Sequence, residues 1–458
     1  MSVATAKFVI CGAGIAGVAA VYQLAVVHGC RNVVLVEEGN PLSLTSDKST
    51  EAYRNWWPGP DQAMTAFMNR SIDLIEGLAQ TTGNRFNLNR RGYVFASADP
   101  AKADWLIENA RVAEARGAGA VRVHGAGSRS YVSAAAHGFE SPLTGADVIT
   151  DRALIREYFP YLAPETRCIA HVRRAGWLSA QQLGMTMLDA AREHGVRTLR
   201  GRVTGAETQG GRLVSVNIES GEGRANLEAT HLVLAAGPKI SPLAASLGIE
   251  LPLFAERHLK ISIQDTLGAV PRHAPMLIWL DPQRLPWNGE EREALAADDS
   301  MRWLTEPFPA GVHGRPDGGP QSATLLILYN YHVEPSDVVY PLAEDENYGE
   351  IALRGMSTIV PALGAYLDKG VRPYIDGGYY MKTRENRPLI GPSSVDGIYL
   401  SCGYSGFGIM SSMAGGELVA RHMLGLAPPD YAPAFLPTRY SDPAYQALLA
   451  NWGDGAQL

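Results

Sequence analysis

The sequence predicts an α/β fold in which a nucleotide-binding domain, built on a parallel sheet, is interleaved with a smaller mixed-sheet α+β domain. Three observations predict it. The chain opens with a strand, a G-x-G-x-x-G turn, a helix and a second strand in succession; apolar strands running into glycine turns recur near residues 230 and 400; and strand-like segments of a different pattern separate those recurrences. At 458 residues, 46% of them apolar, the chain is too long for one compact core and has ample material for two.

Taken in order, residues 7–14 (KFVICGAG) read as a buried strand breaking into a tight turn, and residues 15–29 as a helix ending at Gly29, a natural C-cap. Residues 32–38 (NVVLVEE) form the second buried strand of a βαβ unit, which a parallel sheet requires. From residue 197 to 237, short β-rich runs alternate with glycine turns and end on a third apolar strand and Ala235-Ala236-Gly237. Strands around residues 254–264 and 323–333 bracket a Pro-, Gly- and charge-rich stretch, 281–321, expected to be an irregular, mobile or partner-binding insertion. Beyond residue 377 come another strand, a glycine loop and a helix, then a Pro- and Tyr-rich tail. The expected division is a nucleotide domain from 1–90, 145–250 and 375–430, a second domain from 91–144 and 251–374, and a surface tail from 431–458.

Composition excludes several classes of function. The net charge of −7, with acidic and basic residues mixed throughout, offers no basic stripe for a nucleic acid. Four scattered cysteines, Cys11, Cys30, Cys168 and Cys402, contain no C-x-x-C pair and predict neither a disulfide framework nor a metal site. They read as reduced thiols of a cytoplasmic protein. The N-terminus runs directly into the glycine motif, leaving no room for a secretion signal, and no apolar run reaches the ~18 residues of a membrane span.

Within the first turn, Gly12 permits the bend, Gly14 lets a pyrophosphate approach the backbone, and Gly17 lets helix and strand pack closely; Ile15 and Ala16 open the helix whose free N–H groups face the phosphates. Glu37 closes the second strand 20 residues after Gly17, where a carboxylate accepts hydrogen bonds from a ribose diol and repels a ribose phosphate. Glu38 is the neighbouring alternative. NAD and FAD share this fingerprint, and the second glycine loop at Gly403, Gly406 and Gly408 favours FAD. A helix N-terminus there would stabilise the negative charge of a reduced flavin, whereas a nicotinamide dehydrogenase has no use for it.

Four pieces, GAGIAGVAAVYQLA with VLVEE, LTSDKSTEAYR, VLAAGPK and RPLIGPSSVDGIYLSCGYSGFGIMSS, occur in this order across nearly the whole chain. Together they resemble the FAD-dependent oxidoreductases of the D-amino-acid oxidase family, which includes glycine oxidase, sarcosine oxidase and dimethylglycine dehydrogenase. The resemblance implies a Rossmann-like FAD domain and a substrate domain whose sheet faces the flavin. It implies that Ser49 and Thr50 lie near the pyrophosphate or flavin, that Val203 contacts adenine, that Ala236 and Gly237 border the cofactor, and that Gly403, Tyr404, Gly406, Phe407 and Gly408 sit against the pyrimidine. It further implies oxidation of the C–N bond of a secondary or tertiary amine or N-substituted amino acid by hydride transfer to flavin N5, leaving an imine that hydrolyses. Oxygen or another acceptor would reoxidise the flavin. Relatives link the flavin to a cysteine, or clamp a carboxylate with an arginine, where this chain has Tyr380, so noncovalent FAD is expected and Tyr380 becomes a candidate site residue.

Three further groups stand out. Arg54 follows the TSDKST segment and either faces the flavin or an anionic substrate, or pairs at the surface with Glu51 or Asp61. His258 and Lys260 alternate along one strand, facing the flavin or solvent; facing the flavin, His258 would orient substrate or take its proton. Tyr329 and Tyr331 line the pocket or the core, Trp56 and Trp57 wall the site or pack a corner, and Arg384 and Arg387 support the turn that follows them. The competing functions are a flavin dehydrogenase of a 2-hydroxy acid and a catalytically silent flavoprotein subunit that docks through 281–321 and the tail.

Overall fold

The computed structural model describes residues 4–57, 60–343, 345–450 and 452. Its first sheet is centred on Ala4–Cys11, which pairs in parallel with Val33–Glu37 on one side and with Gly223–Leu234 on the other. Arg197–Arg200 extends the sheet beyond Val33–Glu37, and Ile398–Cys402 continues it in parallel from Leu232–Leu234. Val33 to Val36 are buried, as the run Val-Val-Leu-Val requires of a parallel strand covered on both faces. On one face lie helices Ile15–Tyr22, Ala63–Thr82, Ala180–Glu193 and Gly408–Leu424, sharing a core with Val18, Phe67, Leu183 and Met413. The hairpin Arg202–Gln209 and Arg212–Ser220 and the short helix Ile240–Ser246 pack on the other.

The second sheet has nine strands, in the order Tyr374–Lys382, Phe254–Gln264, Thr324–Leu328, His313–Pro316, Met276–Trp279, Tyr93–Ser97, Cys168–Val172, Ala146–Ile149 and Val121–His124. Two expected boundaries move. Ala146–Ile149 and Cys168–Val172 belong to this sheet and not to the nucleotide domain assigned to 145–250, and Tyr374–Lys382 is its edge strand although 375–430 was assigned to the nucleotide domain. The strands themselves are readable; which sheet they join is decided by partners distant in sequence.

The stretch 281–321 is not an irregular insertion. It contains the helix Gly289–Ala297, closed by a capping box at Asn288 and Glu291, a two-stranded ribbon of Gln283–Arg284 with Pro307–Phe308, and the strand His313–Pro316 inside the main sheet. The tail runs mostly over the surface in its described length, but four buried residues, Ala432, Phe435, Arg439 and Tyr445, pin it to the core. Phe435 is fully buried against Phe67, and the buried Arg439 donates from Nε and Nη2 to Oε1 of the buried Glu385 at 3.1 and 2.8 Å. The hydroxyls of Tyr440 and Tyr445 donate to the same oxygen at 2.8 and 3.1 Å. Residues 451 and 453–458 of that tail lie outside the described residues. Both segments expected as docking surfaces are thus anchored in the chain's own core by a minority of buried residues, among them Phe308, Val312, Phe435 and Arg439, while most of their described length is exposed or half-buried.

Removing the Arg439 cation strands a carboxylate in the interior, which costs about 3–5 kcal/mol. Arg439→Ala is expected to lower the chemical-unfolding midpoint accordingly, with Arg439→Lys intermediate; denaturant titration followed by tryptophan fluorescence measures both.

Candidate functional site

Three cavities adjoin one another along the line where the two sheets meet. The first, of about 480 Å³, opens over the ends of the first parallel strands and is lined by Gly12, Gly14, Glu37, Val203, Ala236 and Gly237 among others. It shares Gly14, Thr45, Ser46 and Pro238 with the second, of about 90 Å³, where Ile15, Ala16, Ser49, Gly403, Tyr404 and Gly408 stand. The second shares Tyr380 and Gly406 with the third, of about 220 Å³, which Thr50, Arg54 and Phe407 border.

The glycine turn fits a phosphate-bearing ligand. A Cβ on Gly12 (φ +99°) would stand 2.4 Å from the Ala235 carbonyl oxygen, and one on Gly17 1.9 Å from the Gly12 oxygen, so those two glycines serve the packing of strand, turn and helix. Gly17 accordingly lines none of the cavities. At Gly14 the nearest atom would be Ser46 Oγ at 3.5 Å; the protein leaves this backbone open, as approach by a pyrophosphate requires. Glu37 accepts hydrogen bonds from the Ala13 N–H at 2.7 Å and the Gly39 N–H at 2.8 Å, which fixes its carboxylate beside the turn, while Glu38 is engaged by Lys239. At the opposite end, helix Gly408–Leu424 has no side-chain cap, and its first turn borders the middle cavity with free N–H groups.

The third cavity rests on one face of the second sheet. Tyr93 opposes Met276 and Ile278 opposes His313, which in turn opposes Leu328; all five side chains line the cavity because cross-strand partners share a face. Arg54 is buried here. Its Nε donates to the Trp56 carbonyl at 3.3 Å, its guanidinium lies 4.7 Å from the Trp57 ring centre, Nη2 has no partner, and no acid lies within ion-pair distance among the described residues. Burial pulls its pKa down from the usual arginine value. Both expected surface partners are taken, Glu51 by Arg315 and Asp61 by Arg387.

Tyr380 lies between the second and third cavities, its hydroxyl pushed up to about 12 by burial. His258 stands behind it and not in a cavity: its ring stacks on Tyr380 with centroids 4.1 Å apart, Nε2 lies 3.1 Å from Glu256 Oε2, and Nδ1 lies 3.2 Å from the Asn330 carboxamide. It therefore cannot take a proton from a substrate directly. Lys260 donates to the carbonyls of Asp47 and Ser49 at 2.9 and 3.3 Å. Tyr329 and Tyr331 bond to the Pro309 carbonyl and to Asp345, respectively, and serve the core, leaving the intervening Asn330 to face the cavity. Trp56 packs on Phe95 and Trp57 on Phe407, forming a corner behind Arg54.

Sequence reasoning missed Thr45, Ser46, Asn330 and His313. Ser46 Oγ accepts from the Ile15 N–H at 3.0 Å, inside a segment that the resemblance had already marked. His313 lay within the supposed insertion. Its Nδ1 is 2.8 Å from the Gly311 carbonyl, which can only accept, so Nδ1 carries the hydrogen and Nε2 keeps its lone pair when the ring is neutral. Burial, with a smaller contribution from Arg54, lowers its pKa to about 4.

Residues 7–422 match the family model DAO, FAD dependent oxidoreductase. The chain belongs to the DAO family of FAD-dependent oxidoreductases. No curated protein matches it, whereas solved structures share the fold of this DAO-family chain over almost its full length. L-Proline dehydrogenase from P. horikoshii superposes with a TM-score of 0.72 at 19% identity, covering 96% of this chain and 98% of that one. Glycine oxidase from Geobacillus kaustophilus gives 0.70 at 16% identity, covering 94% and 98%, and iminodiacetate oxidase from Chelativorans sp. BNC1 gives 0.67 at 16%, covering 94% and 99%. The three cavities lie in a row along the meeting of the two sheets of this fold. Among the described residues no helix is long and apolar enough to cross a membrane.

The His313 imidazole titrates near 6.5 in the unfolded chain and near 4 in the fold. The unfolded state takes up a proton between those values and the folded state does not, so stability falls as pH drops from 6.5 to 4. His313→Gln is expected to remove this share, on the order of 3 kcal/mol, and flatten the dependence; unfolding free energies measured across that range check it.

Proposed function

We propose that this FAD-dependent oxidoreductase oxidises the carbon–nitrogen bond of a carboxylate-bearing amine, an amino acid or N-substituted amino acid. The observation that carries this reading is the unpaired guanidinium of Arg54 in the third cavity. A buried cation with a free donor is costly unless an anion meets it, and a carboxylate meets a guanidinium with two parallel hydrogen bonds. The rings of Trp57 and Tyr93 hold that guanidinium in place, at 4.7 and 5.8 Å. The structural relatives named above carry proline, glycine and iminodiacetate in their names, and that likeness supports a substrate with both groups.

With FAD bound, the flavin supplies a hydride acceptor at N5, and the chain arranges the remaining steps. Arg54 fixes the carboxylate and so directs the neighbouring C–H and N–H bonds. Neutral His313 has a lone pair on Nε2 to take one proton from the bound ammonium, which frees the nitrogen lone pair; the two electrons of the C–H bond then leave with its hydrogen and the amine becomes an iminium, which water hydrolyses afterwards. Met276, Ile278, Leu328 and Met410 line the cavity with apolar surface and exclude water. FAD is held without a covalent bond in this reading: Cys11 and Cys402, the cysteines bordering the cavities, have thiols pushed to about 12 by burial and are poor nucleophiles.

Anaerobic mixing of the FAD-loaded protein with N-methyl amino acids, amino acids, amines and 2-hydroxy acids tests the reading. Bleaching of the flavin absorption by carboxylate-bearing amines is expected; bleaching by 2-hydroxy acids alone would overturn it, and bleaching by none would favour a silent subunit. Arg54→Met is expected to lower kcat/KM for a carboxylate-bearing amine by about 10²-fold or more and to leave an amine lacking the carboxylate nearly unaffected.

A further inference from the structure

The Asn330 side chain stands between the third cavity and the cluster of His258, Glu256 and Lys382. Glu256 Oε2 is shared by Lys382 Nζ at 2.7 Å and His258 Nε2 at 3.1 Å. A carboxylate paired with an ammonium only accepts, so His258 Nε2 carries a hydrogen. As the side chain stands, the Asn330 oxygen faces Nδ1 at 3.2 Å, a pairing that needs a second hydrogen on the ring. That ring would be an imidazolium, adding a cation close to the Lys382 ammonium, with the buried Arg54 also bordering the cavity. Burial opposes it and holds the His258 pKa below the usual imidazole value, although Glu256 pulls the other way. The neutral ring has a bare Nδ1, which requires a donor. The two ends of a carboxamide have the same shape, so hydrogen bonding decides their orientation. With the carboxamide turned end for end, its NH2 donates to the bare His258 Nδ1 and its oxygen is free to face the cavity that Asn330 borders.

We propose that Asn330 is a specificity-determining residue, positioned by His258, whose carboxamide oxygen joins His313 Nε2 as a second acceptor and selects a substrate nitrogen bearing two hydrogens. The inference rests on the carboxylate-bearing amine reading above and narrows it. Arg54 offers donors to the carboxylate, while His313 and Asn330 offer two acceptors to an ammonium. A primary or secondary amino acid satisfies both acceptors; a fully alkylated nitrogen, with one N–H as its ammonium, or a hydroxyl satisfies one. A site built of acceptors rejects ligands lacking the matching donors because the buried lone pairs are left unpaired.

Three nearly isosteric carboxylates test this on the FAD-loaded protein: 2-aminoisobutyrate, 2-hydroxyisobutyrate and pivalate. None has a hydrogen on its α-carbon, so each reports binding, through perturbation of the flavin's visible spectrum, without turnover. The native protein is expected to bind the amino compound about tenfold more tightly than the hydroxy compound, and pivalate most weakly. Asn330→Leu is expected to weaken the amino compound about tenfold and pivalate less than threefold, whereas Asn330→Asp, which keeps an acceptor, retains the order. Equal affinity for amino and hydroxy compounds in the native protein overturns the proposal, whether or not the variants fold. Unchanged affinity ratios in an FAD-retaining Asn330→Leu overturn it as well. If no carboxylate perturbs the flavin, and Arg54→Met behaves as native, the carboxylate reading itself has failed.

Discussion

Arg315 joins the two halves of the site. Its side chain is fully buried on the strand His313–Pro316, where it donates to the Thr50 carbonyl at 2.7 Å, to Glu51 at 3.2 Å and to Asp317 at 2.6 Å, and it lies 5.4 Å from the Trp177 ring. Glu51 sits in the left-handed region (φ 56°), which a non-glycine residue holds only when its surroundings enforce it. The turn so held delivers Ser49 to the middle cavity, Thr50 to the third, and the strand Ala52–Arg54 behind it. Two residues earlier on the same sheet face, His313 reaches the third cavity. One buried cation therefore ties the segment that carries Arg54 to the strand that carries His313.

The charge pattern follows the same logic along the line of cavities. Helix N-termini at Ile15 and Gly408 face the first two spaces, and a buried cation, Arg54, borders the third. The histidines nearby are kept neutral by burial, and Glu256 is matched by Lys382. Each region thus presents positive charge or partial positive charge to whatever it holds. His313 and Asn330 border the same cavity as Arg54, and among the described residues no carboxylate lies within ion-pair distance of that arginine.

What could be read from the sequence divides along physical lines. Gly12, Gly14, Gly17 and Glu37 were legible because their spacing is dictated by one local turn and one helix. Arg54 was legible as a candidate because it ends a segment adjoining that unit, although its burial and lack of a partner depend on Trp57, Tyr93 and the clasp of Glu51 by Arg315. The strand that ends at Leu328 shows where the reading failed: alternation does continue, but its phase is set by the pairing of Leu328 with His313, so Asn330 and not Tyr329 or Tyr331 reaches the cavity. For His258 the sequence left both faces of its strand open; the side chain is buried, and Tyr380, two positions away on the diagonal of the neighbouring strand, lies over it. His313 was hidden because proline, glycine and charge mask a short strand whose only support is its neighbours. The tail looked superficial for want of any sign that Arg439 would meet Glu385.

The nucleotide-binding sheet is stitched from remote parts of the chain: Ala4 opposes Leu227, and Leu234 opposes Leu400. During synthesis, the glycine turn and its helix emerge about 200 residues before Gly223–Leu234, the strand that flanks their own strand on its second side. Parallel pairings at such separation make assembly slow. They also mean that no contiguous fragment carries this sheet; a chain cut before residue 398 leaves Leu232–Leu234 as an open edge. The molecule is therefore two domains by architecture, yet neither corresponds to one contiguous length of chain that could be cut out as a cassette.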